Sequence, residues 1–388
     1  MLISLVACDL GGEKDTERLI PFETETKTEE DLMEYVDFIV SVPEGRDPVI
    51  LHLTDPQIID PTQQRYSGRL TDTFASYWAK DKKNERCYDY FREIITATKP
   101  DLIILTGDIV FGEFDDNGEN FLEFVDFMES FNIPWAPVFG NHDNESNMGA
   151  DWQSEQLENA KNCLFMQRTL TGNGNYTVGI EQGGKLKRVF FMLDSNGCGA
   201  ASAKSLANGH TKTAAGFGND QIVWYGKTAQ AITAISPDTK LSMVFHMQIV
   251  VFKDALGRYK TNDSYANVYI DDLENKGEGD FGYTGRGVKG DWDSNYNVWK
   301  TIKSLGIDSV FVGHEHSNCS SVVYEGVRLQ YGMKSSTYDR NNYIKANGEI
   351  ESAAYYSTNT PWIGGSVFSL DENGDIEDPH IYYCETDN

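Results

Sequence analysis

Five short groups of residues with metal-ligating side chains interrupt the chain, and each of them directly follows an apolar segment. They are Asp55-Pro56-Gln57, Gly107-Asp108, Gly140-Asn141-His142-Asp143, His246 and Gly313-His314-Glu315-His316. Each group alone has an ordinary structural explanation, because Gly, Asn and Asp favour turns and a lone histidine on an apolar strand is more often a core residue. Two histidines separated by one residue indicate a metal site more strongly. Together the groups supply carboxylate, amide and imidazole ligands without thiolate, a set that suits Mn, Fe or Zn ions.

The segments around these groups alternate between strand and helix patterns. We predict strands over residues 47–55, 101–106, 135–139, 187–194, 240–246 and 308–312, and helices over 85–98, 120–130, 220–233 and 295–305. After His316 only strands are predicted, over 321–324, 327–331, 367–370 and 381–383. This alternation predicts a parallel sheet covered by helices. Because such a sheet gathers its ligand-binding loops at the carboxyl ends of its strands, we expect the five groups to meet in one crevice.

The chain shows no internal repeat and no change of composition that would divide residues 45–388, so we predict one α/β domain of two packed sheets flanked by helices. Residues 252–292 are rich in glycine and polar residues and are predicted to form a long, functional or mobile loop. Arg286 in this loop could bind a substrate phosphate through two hydrogen bonds. The alternative for Arg286 is a solvated surface charge.

The first residues suggest an export signal. Leu5-Val6-Ala7-Cys8 resembles the lipobox of bacterial lipoproteins, although no Lys or Arg precedes it as an export signal requires. We therefore interpret residues 1–8 as a possible lipoprotein signal remnant with a lipid anchor at Cys8, and residues 9–44 as a polar tether and N-terminal segment. On this interpretation the protein is exported and tethered at the bacterial cell surface or in the periplasm. The alternative is a frayed N-terminus with a chance cysteine in a cytoplasmic protein.

Composition excludes two classes of protein. The 388 residues contain no apolar run near the roughly 18 to 20 residues that a membrane-spanning helix needs. With 33 Lys and Arg against 60 Asp and Glu, the net charge is −27, and no Lys/Arg run is present. Such a surface repels nucleic acid, so a nucleic-acid partner is not expected.

The five groups in this order resemble the pattern D-x-H, G-D, G-N-H-[E/D], His, G-H-x-H of the calcineurin-like metallophosphoesterase superfamily. Gln221-Ile222-Val223-Trp224 and the segment 326–332, GVRLQYG, are similar to its purple-acid-phosphatase-like and Dcr2-type members. The resemblance covers roughly residues 48–325. It implies the metallo-dependent phosphatase fold, a four-layer α-β-β-α sandwich of two mixed sheets flanked by helices. It also implies two metal ions and hydrolysis of phosphoric mono- or diesters.

Carried over by position, the resemblance implies that Asp108 bridges the two ions. Asp55, Gln57 and His316 would complete the first site, and Asn141, His246 and His314 would complete the second site. His142 would assist the leaving group or the phosphate, with Asp143 as a candidate catalytic neighbour. A hydroxide held between two cations would attack phosphorus in line, without a covalent intermediate.

Two residues depart from the family pattern. Gln57 stands where the family has His, and because an amide oxygen is a weaker donor than imidazole, the first site should be looser. His52 is a poor substitute, because it lies on the opposite face of the predicted strand. Phe111 stands where purple acid phosphatases have a metal-binding Tyr and Ser/Thr phosphatases an Asp, so whatever orients His142 must come from elsewhere.

Two other functions are compatible with the same residues. A catalytically weak relative could use the crevice as a binding module, and Gln57 is the residue that favours this alternative. A nuclease or other phosphodiesterase of the same family is the second alternative. The net charge of −27 and the lack of a basic stripe argue against a nuclease.

Overall fold

The computed structural model describes residue 32 and residues 34–63, 83–197, 216–259, 268–284, 292–316, 318–334 and 363–384. The strands are β1 (Phe38–Ser41), β2 (Val49–Leu53), β3 (Leu102–Leu105), β4 (Trp135–Pro137), β5 (Tyr176–Gln182), β6 (Lys185–Met192), β7 (Lys240–Val244), β8 (Val268–Tyr269), β9 (Tyr283–Thr284), β10 (Ile307–Val312), β11 (Ser321–Tyr324), β12 (Val327–Tyr331), β13 (Gly364–Leu370) and β14 (Ile376–Tyr383). The helices are α1 (Lys83–Thr98), α2 (Glu119–Glu129), α3 (Gly149–Asn159), α4 (Asn219–Ile235), α5 (Val251–Gly257) and α6 (Asn297–Ser304). None of these described helices has the length and apolar character that a membrane span requires.

Two mixed sheets form the centre of the molecule. The first sheet has the strand order β1-β5-β6-β7-β10-β12-β11, and the second has the order β14-β13-β2-β3-β4. Within the first sheet β6, β7, β10 and β12 run parallel, and within the second sheet β2, β3 and β4 run parallel. The strands that precede the five sequence groups are therefore parallel neighbours: β2, β3 and β4 in one sheet, β7 and β10 in the other.

The two sheets pack face to face, with helices on both outer faces. Phe311 of β10 stacks on Phe368 of β13 with ring centroids 5.0 Å apart, and Phe190 of β6 joins them. Val310 and Val312 point to the opposite face of β10, where they join the core under α4, α5 and α6. Helices α1 and α2 cover the second sheet, with Phe91 and Phe124 buried there. This is the predicted four-layer α-β-β-α sandwich, and the alternation of side chains along each strand produces it.

Several elements were not predicted from the sequence. Strand β1 lies within residues 9–44, assigned above to the tether, and pairs in parallel with β5. Helices α3 and α5 were also missed, and α5 occupies the start of the predicted loop 252–292. Helix α5 is only seven residues long and includes Lys253 and Asp254, too short a segment to show a helical period before the polar stretch that follows.

The carboxyl ends of the parallel strands of both sheets meet along one edge, and two glycines allow the approach. A Cβ at Gly313 would lie 2.2 Å from Thr54 Oγ1, and a Cβ at Gly140 would lie 2.2 Å from Asp108 Oδ1. Any larger residue would force the loops apart. The glycines of these motifs are therefore required by the close contact between neighbouring loops.

Candidate metal centre

The backbone at the strand ends adopts an uncommon conformation at four of the predicted ligands. The φ angles of Asp55, Gln57, Asp108 and His314 are 53°, 47°, 52° and 71°. Residues other than glycine rarely occupy this left-handed region, and such strain is concentrated at functional sites. The left-handed conformation redirects the chain just after β2, β3 and β10. It thereby places these four side chains near the same edge of the fold.

The second site, defined as Asp108, Asn141, His246 and His314, is compact and buried. Ligand atoms of Asp108, His246 and His314 lie within 4.8 Å of one another. His246 Nε2 is 3.4 Å from Asp108 Oδ2, 3.2 Å from Asn141 Oδ1 and 3.3 Å from His314 Nδ1. His246 Nδ1 lies 2.6 Å from the carbonyl oxygen of Thr106, to which it donates. The ring is thus fixed with Nε2 directed at the site, as is usual for metal-binding histidines.

The first site, defined as Asp55, Gln57, Asp108 and His316, shares Asp108 with the second. Ligand atoms of Asp55, Asp108 and His316 also lie within 4.8 Å of one another. His316 Nε2 is 3.1 Å from Asp55 Oδ1. Gln57 presents its amide nitrogen to this site, 3.4 Å from Asp108 Oδ2 and 3.2 Å from His316 Nε2. The two carboxylates and the imidazole of His316 suit a metal ion here, whereas the amide of Gln57, in this orientation, does not.

Electrostatics show that the buried carboxylates attract positive charge. Burial opposes ionisation of Asp55, but the adjacent His316 imidazole, which is hydrogen-bonded to Asp55, lowers the pKa of Asp55 below its ordinary value. Burial likewise opposes ionisation of Asp108, but the charge of His246 holds the pKa of Asp108 well below its ordinary value. Burial lowers the pKa of His246, yet Asp108 raises that pKa more strongly, to about 10. Without metal, the cluster therefore holds a proton where a cation would fit.

His314 completes this arrangement as a neutral imidazole. Burial and the charge of His246 lower the pKa of His314 to about 3. Neutral imidazole is the form that binds metals. The described residues thus fit two neighbouring cations that share Asp108, with the second site better formed than the first.

His142 lies beside the shared carboxylate, and its ring is held by two residues that the sequence analysis did not identify as its partners. Its backbone N–H donates to Asp108 Oδ1 at 2.8 Å. Its ring nitrogen Nδ1 lies 2.6 Å from Glu145 Oε2, and its ring stacks on Phe111 with centroids 4.1 Å apart. Glu145, three residues further along the same turn, therefore orients His142, and Phe111 supports the ring from one face.

Asp143 has its carboxylate directed at backbone groups. Its oxygens accept hydrogen bonds from the N–H of Gly140 at 2.7 Å and of Val110 at 3.0 Å. Burial and the nearby charge of Asp108 raise the pKa of Asp143 to about 8. In this arrangement Asp143 ties the loop after β4 to the loop after β3.

Three further residues named in the sequence analysis and one that it missed complete the comparison. His52 is buried between the sheets, where it contacts Thr106 Oγ1 at 2.9 Å, outside both sites. Arg286 and Cys8 lie outside the described residues. Lys334, which the sequence analysis did not single out, lies against the first site, with its ammonium 3.1 Å from His316 Nδ1. It lies two residues after the segment 326–332 and in none of the five groups, so only its position just after a predicted strand could have indicated it.

Comparison with known proteins agrees with this geometry. The family model for calcineurin-like phosphoesterases matches residues 48–223. "Probable inactive purple acid phosphatase 29" of Arabidopsis thaliana is 24% identical over 280 residues, which are 63% of this chain and 61% of that protein. "Phosphatase DCR2" of Saccharomyces cerevisiae is 30% identical over 78 residues, 20% of this chain and 13% of that protein. The chain thus matches less than two thirds of the length of these relatives.

Among solved structures, a dimetal phosphatase from Danio rerio is similar with a TM-score of 0.43 and 9% identity, over 84% of this chain and 93% of that one. The residues that the family model matches include three of the five groups, those at Asp55, Asp108 and Asn141. The other two groups, at His246 and His314, meet them in the structure. The chain thus resembles the calcineurin-like phosphoesterases over residues 48–223, and it is similar to purple-acid-phosphatase-like and Dcr2-type proteins.

Proposed function

We propose that this protein is a binuclear metal-dependent phosphoric ester hydrolase that acts on mono- or diesters. The observation that supports the proposal is that two groups of ligand atoms share Asp108. Within each group the ligand atoms lie within 4.8 Å of one another. Asp55, Asp108 and His316 would hold one ion, and Asp108, Asn141, His246 and His314 would hold the other. When bound, two such ions supply a hydroxide nucleophile near neutral pH and neutralise charge on the phosphoryl oxygens.

The chain's own residues would orient the substrate and assist the leaving group. His142 is partly exposed at the edge of the site, and because its Nδ1 faces Glu145, Nε2 is the ring nitrogen that would act on the substrate. A histidine in this position can donate a proton to the leaving oxygen, and the carboxylate of Glu145 stabilises the protonated ring. The backbone hydrogen bond from His142 to Asp108 couples the position of this acid to that of the bridging carboxylate.

The net charge of the chain makes phosphate binding dependent on metal. At −27 the protein repels anionic esters over most of its surface. Two divalent ions would bring four positive charges against the carboxylates of Asp55 and Asp108, which reverses the sign locally. We therefore expect the metal-free protein to have little affinity for phosphate esters, with the metal ions (Mn, Fe or Zn) creating the attraction.

Metal analysis combined with hydrolysis of p-nitrophenyl phosphate and bis(p-nitrophenyl) phosphate tests the proposal. Turnover of one ester that disappears on chelation and returns with a divalent metal is the expected result. A folded protein that binds metal but hydrolyses neither ester would support the second candidate, a binding module. That candidate is favoured by Gln57 and by a relative whose name describes it as inactive.

We also propose that the protein is exported and anchored through a lipid on Cys8. The support is the lipobox-like Leu5-Val6-Ala7-Cys8. Metabolic labelling with a fatty acid, compared between the natural chain and Cys8→Ser in a bacterial host, tests this part separately. Equal labelling of both chains, or labelling of neither, would contradict it.

A further inference from the structure

Lys334 is a buried lysine beside the first site. It follows β12, and its backbone bridges in parallel to Thr54, the residue before Asp55. Its side chain is 6% exposed, and its Nζ lies 3.3 Å from Gln57 Oε1 and 3.1 Å from His316 Nδ1. Lysine is almost never fully buried without a partner. Among the residues that the structure describes, both partners of this ammonium belong to the first site.

The ammonium determines which way the Gln57 amide points. An ammonium only donates hydrogen bonds, so the atom of Gln57 that faces Lys334 must be the oxygen. The amide nitrogen then faces Asp108 Oδ2, a carboxylate oxygen that only accepts, at 3.4 Å. Two independent neighbours therefore agree on the orientation of the amide. An amide nitrogen has no lone pair to offer a metal, so in this orientation Gln57 is not a ligand.

The same ammonium determines which ring nitrogen of His316 is protonated. Because Lys334 donates, His316 Nδ1 must accept, which leaves the proton on Nε2. His316 Nε2 then donates to Asp55 Oδ1, 3.1 Å away. The Gln57 amide nitrogen lies 3.2 Å from the same Nε2, and with this tautomer it donates to Asp108 and not to His316. A histidine that binds a metal through Nε2 needs its proton on Nδ1, facing an acceptor. Lys334 offers a donor there instead.

We propose that Lys334 is a built-in competitor of the first metal ion, an inference that rests on the proposed metal-dependent function. Its charge lies close to the first site, and it turns Gln57 and His316 so that they donate to Asp108 and Asp55. These donors satisfy the carboxylates that a cation would otherwise neutralise. The second site has no such competitor among the described contacts of its ligands, so it fills first and tightly. The first site fills more weakly and requires Lys334 to withdraw.

Titration of the metal-free full chain with Mn²⁺, followed by calorimetry and electron paramagnetic resonance, tests the inference. For the natural chain we expect one Mn²⁺ ion to bind tightly and a second to bind at least about tenfold more weakly, which is the lower end of the effect that residues contacting a metal ligand have on metal affinity. Lys334→Met keeps the apolar stem and removes the donor and charge, so the weaker equivalent should tighten by about tenfold or more. Spin coupling between two Mn²⁺ ions should then appear at lower metal concentration.

Two controls make the result specific. Lys300→Met removes an exposed lysine of α6 and should leave both equivalents unchanged. Lys334→Arg keeps the donor and the charge, so its first site should stay weak even if packing is disturbed. Two equivalents of equal affinity in the natural chain would overturn the inference without any variant. So would an unchanged weak equivalent in Lys334→Met, or in Lys334→Gln if the methionine variant does not fold.

Ester hydrolysis measured on the same samples separates this inference from the proposed function. If Lys334→Met tightens the weak equivalent and neither protein hydrolyses an ester, the competitor role of Lys334 stands and the catalytic proposal fails. If the natural chain hydrolyses an ester with two equally tight equivalents, the catalytic proposal stands and the role of Lys334 fails.

Discussion

The two sites lie side by side and share Asp108, yet they differ in how their ligands are oriented. In the second site His246 donates its Nδ1 proton to Thr106, so that Nε2 faces the ligand cluster. In the first site Lys334 donates to the acceptor atoms of Gln57 and His316. The N–H groups of these two residues therefore face the carboxylates. Both sites arise from the same kind of element, a strand followed by a left-handed turn. The difference teaches that the residue on the far side of a ligand decides whether that ligand can bind metal.

The largest expected effect is that of Asp108→Asn, which removes the carboxylate common to both sites. We expect ester hydrolysis to fall below detection and the affinity for both ions to fall by more than about a hundredfold. Mutation of a residue that only supports a ligand lowers metal affinity by up to about a hundredfold, and Asp108 is itself a ligand. Metal content and the turnover of p-nitrophenyl phosphate measure this. The exposed Asp126→Asn on α2 is the matched control. If one ion remained tightly bound to Asp108→Asn, the carboxylate would not bridge the two sites.

The pair His246→Asn and His316→Asn compares the two sites directly. We expect His246→Asn to remove the tight equivalent of Mn²⁺, with a loss of more than about a hundredfold in affinity, because it removes an oriented imidazole ligand. His316→Asn should leave the tight equivalent in place and affect the weak one alone. Calorimetric titration of both variants checks this. Equal losses in the two variants would mean that the sites are equivalent and would contradict the comparison.

Glu145→Gln tests the residue that orients His142. His142 lies beside both sites and is a ligand in neither. The carboxylate lies 2.6 Å from His142 Nδ1 and stabilises the protonated ring, so kcat should fall by about ten- to a hundredfold. Metal stoichiometry should stay unchanged, and KM should change little. The exposed Glu155→Gln on α3 serves as control. A rise in KM without a fall in kcat would show that Glu145 does not act through the leaving group.

Gln57→His would restore the imidazole that the family pattern has at the first site. We expect the weakly bound Mn²⁺ ion to bind up to about tenfold more tightly, because an imidazole nitrogen can bind a transition metal and the Gln57 amide nitrogen that faces the site cannot. The gain should be larger in the Lys334→Met background, since the competing ammonium is then absent. Mn²⁺ titration of the two single variants and the double variant measures this. Unchanged affinity in all of them would remove position 57 from the ligands.

Phe111→Leu should have the smallest effect. The ring of Phe111 stacks on His142, and an aromatic contact of this kind contributes about 0.5 to 1.5 kcal/mol. We therefore expect kcat to fall by between about twofold and tenfold, with both metal equivalents unchanged. Steady-state kinetics together with thermal unfolding distinguishes this from a general loss of stability. A change in metal affinity would show that Phe111 supports the ligands rather than the acid.

Much of the fold could be predicted because its strands are strongly patterned. The order of strands and helices from β2 to β4, and the parallel arrangement that joins their ends, followed from apolar runs and turn residues. Strand β1 and helices α3 and α5 were missed because their apolar patterns are short or mixed. Such segments are stabilised by packing against a partner, which the local sequence does not show. Strand β1, for example, has one buried residue in four and depends on pairing with β5.

The sequence by itself determined which residues could meet in a metal centre, since their types, their order and their positions after strands are local properties of the chain. The tertiary structure alone decided how those residues are oriented. Glu145 and Phe111 hold His142, Asp143 ties two loops together, and Lys334 turns Gln57 and His316. Each of these roles depends on which donor faces which acceptor across elements as distant as Gln57 and Lys334. Hydrogen-bond direction is a property of contacts in space, so no spacing along the chain encodes it.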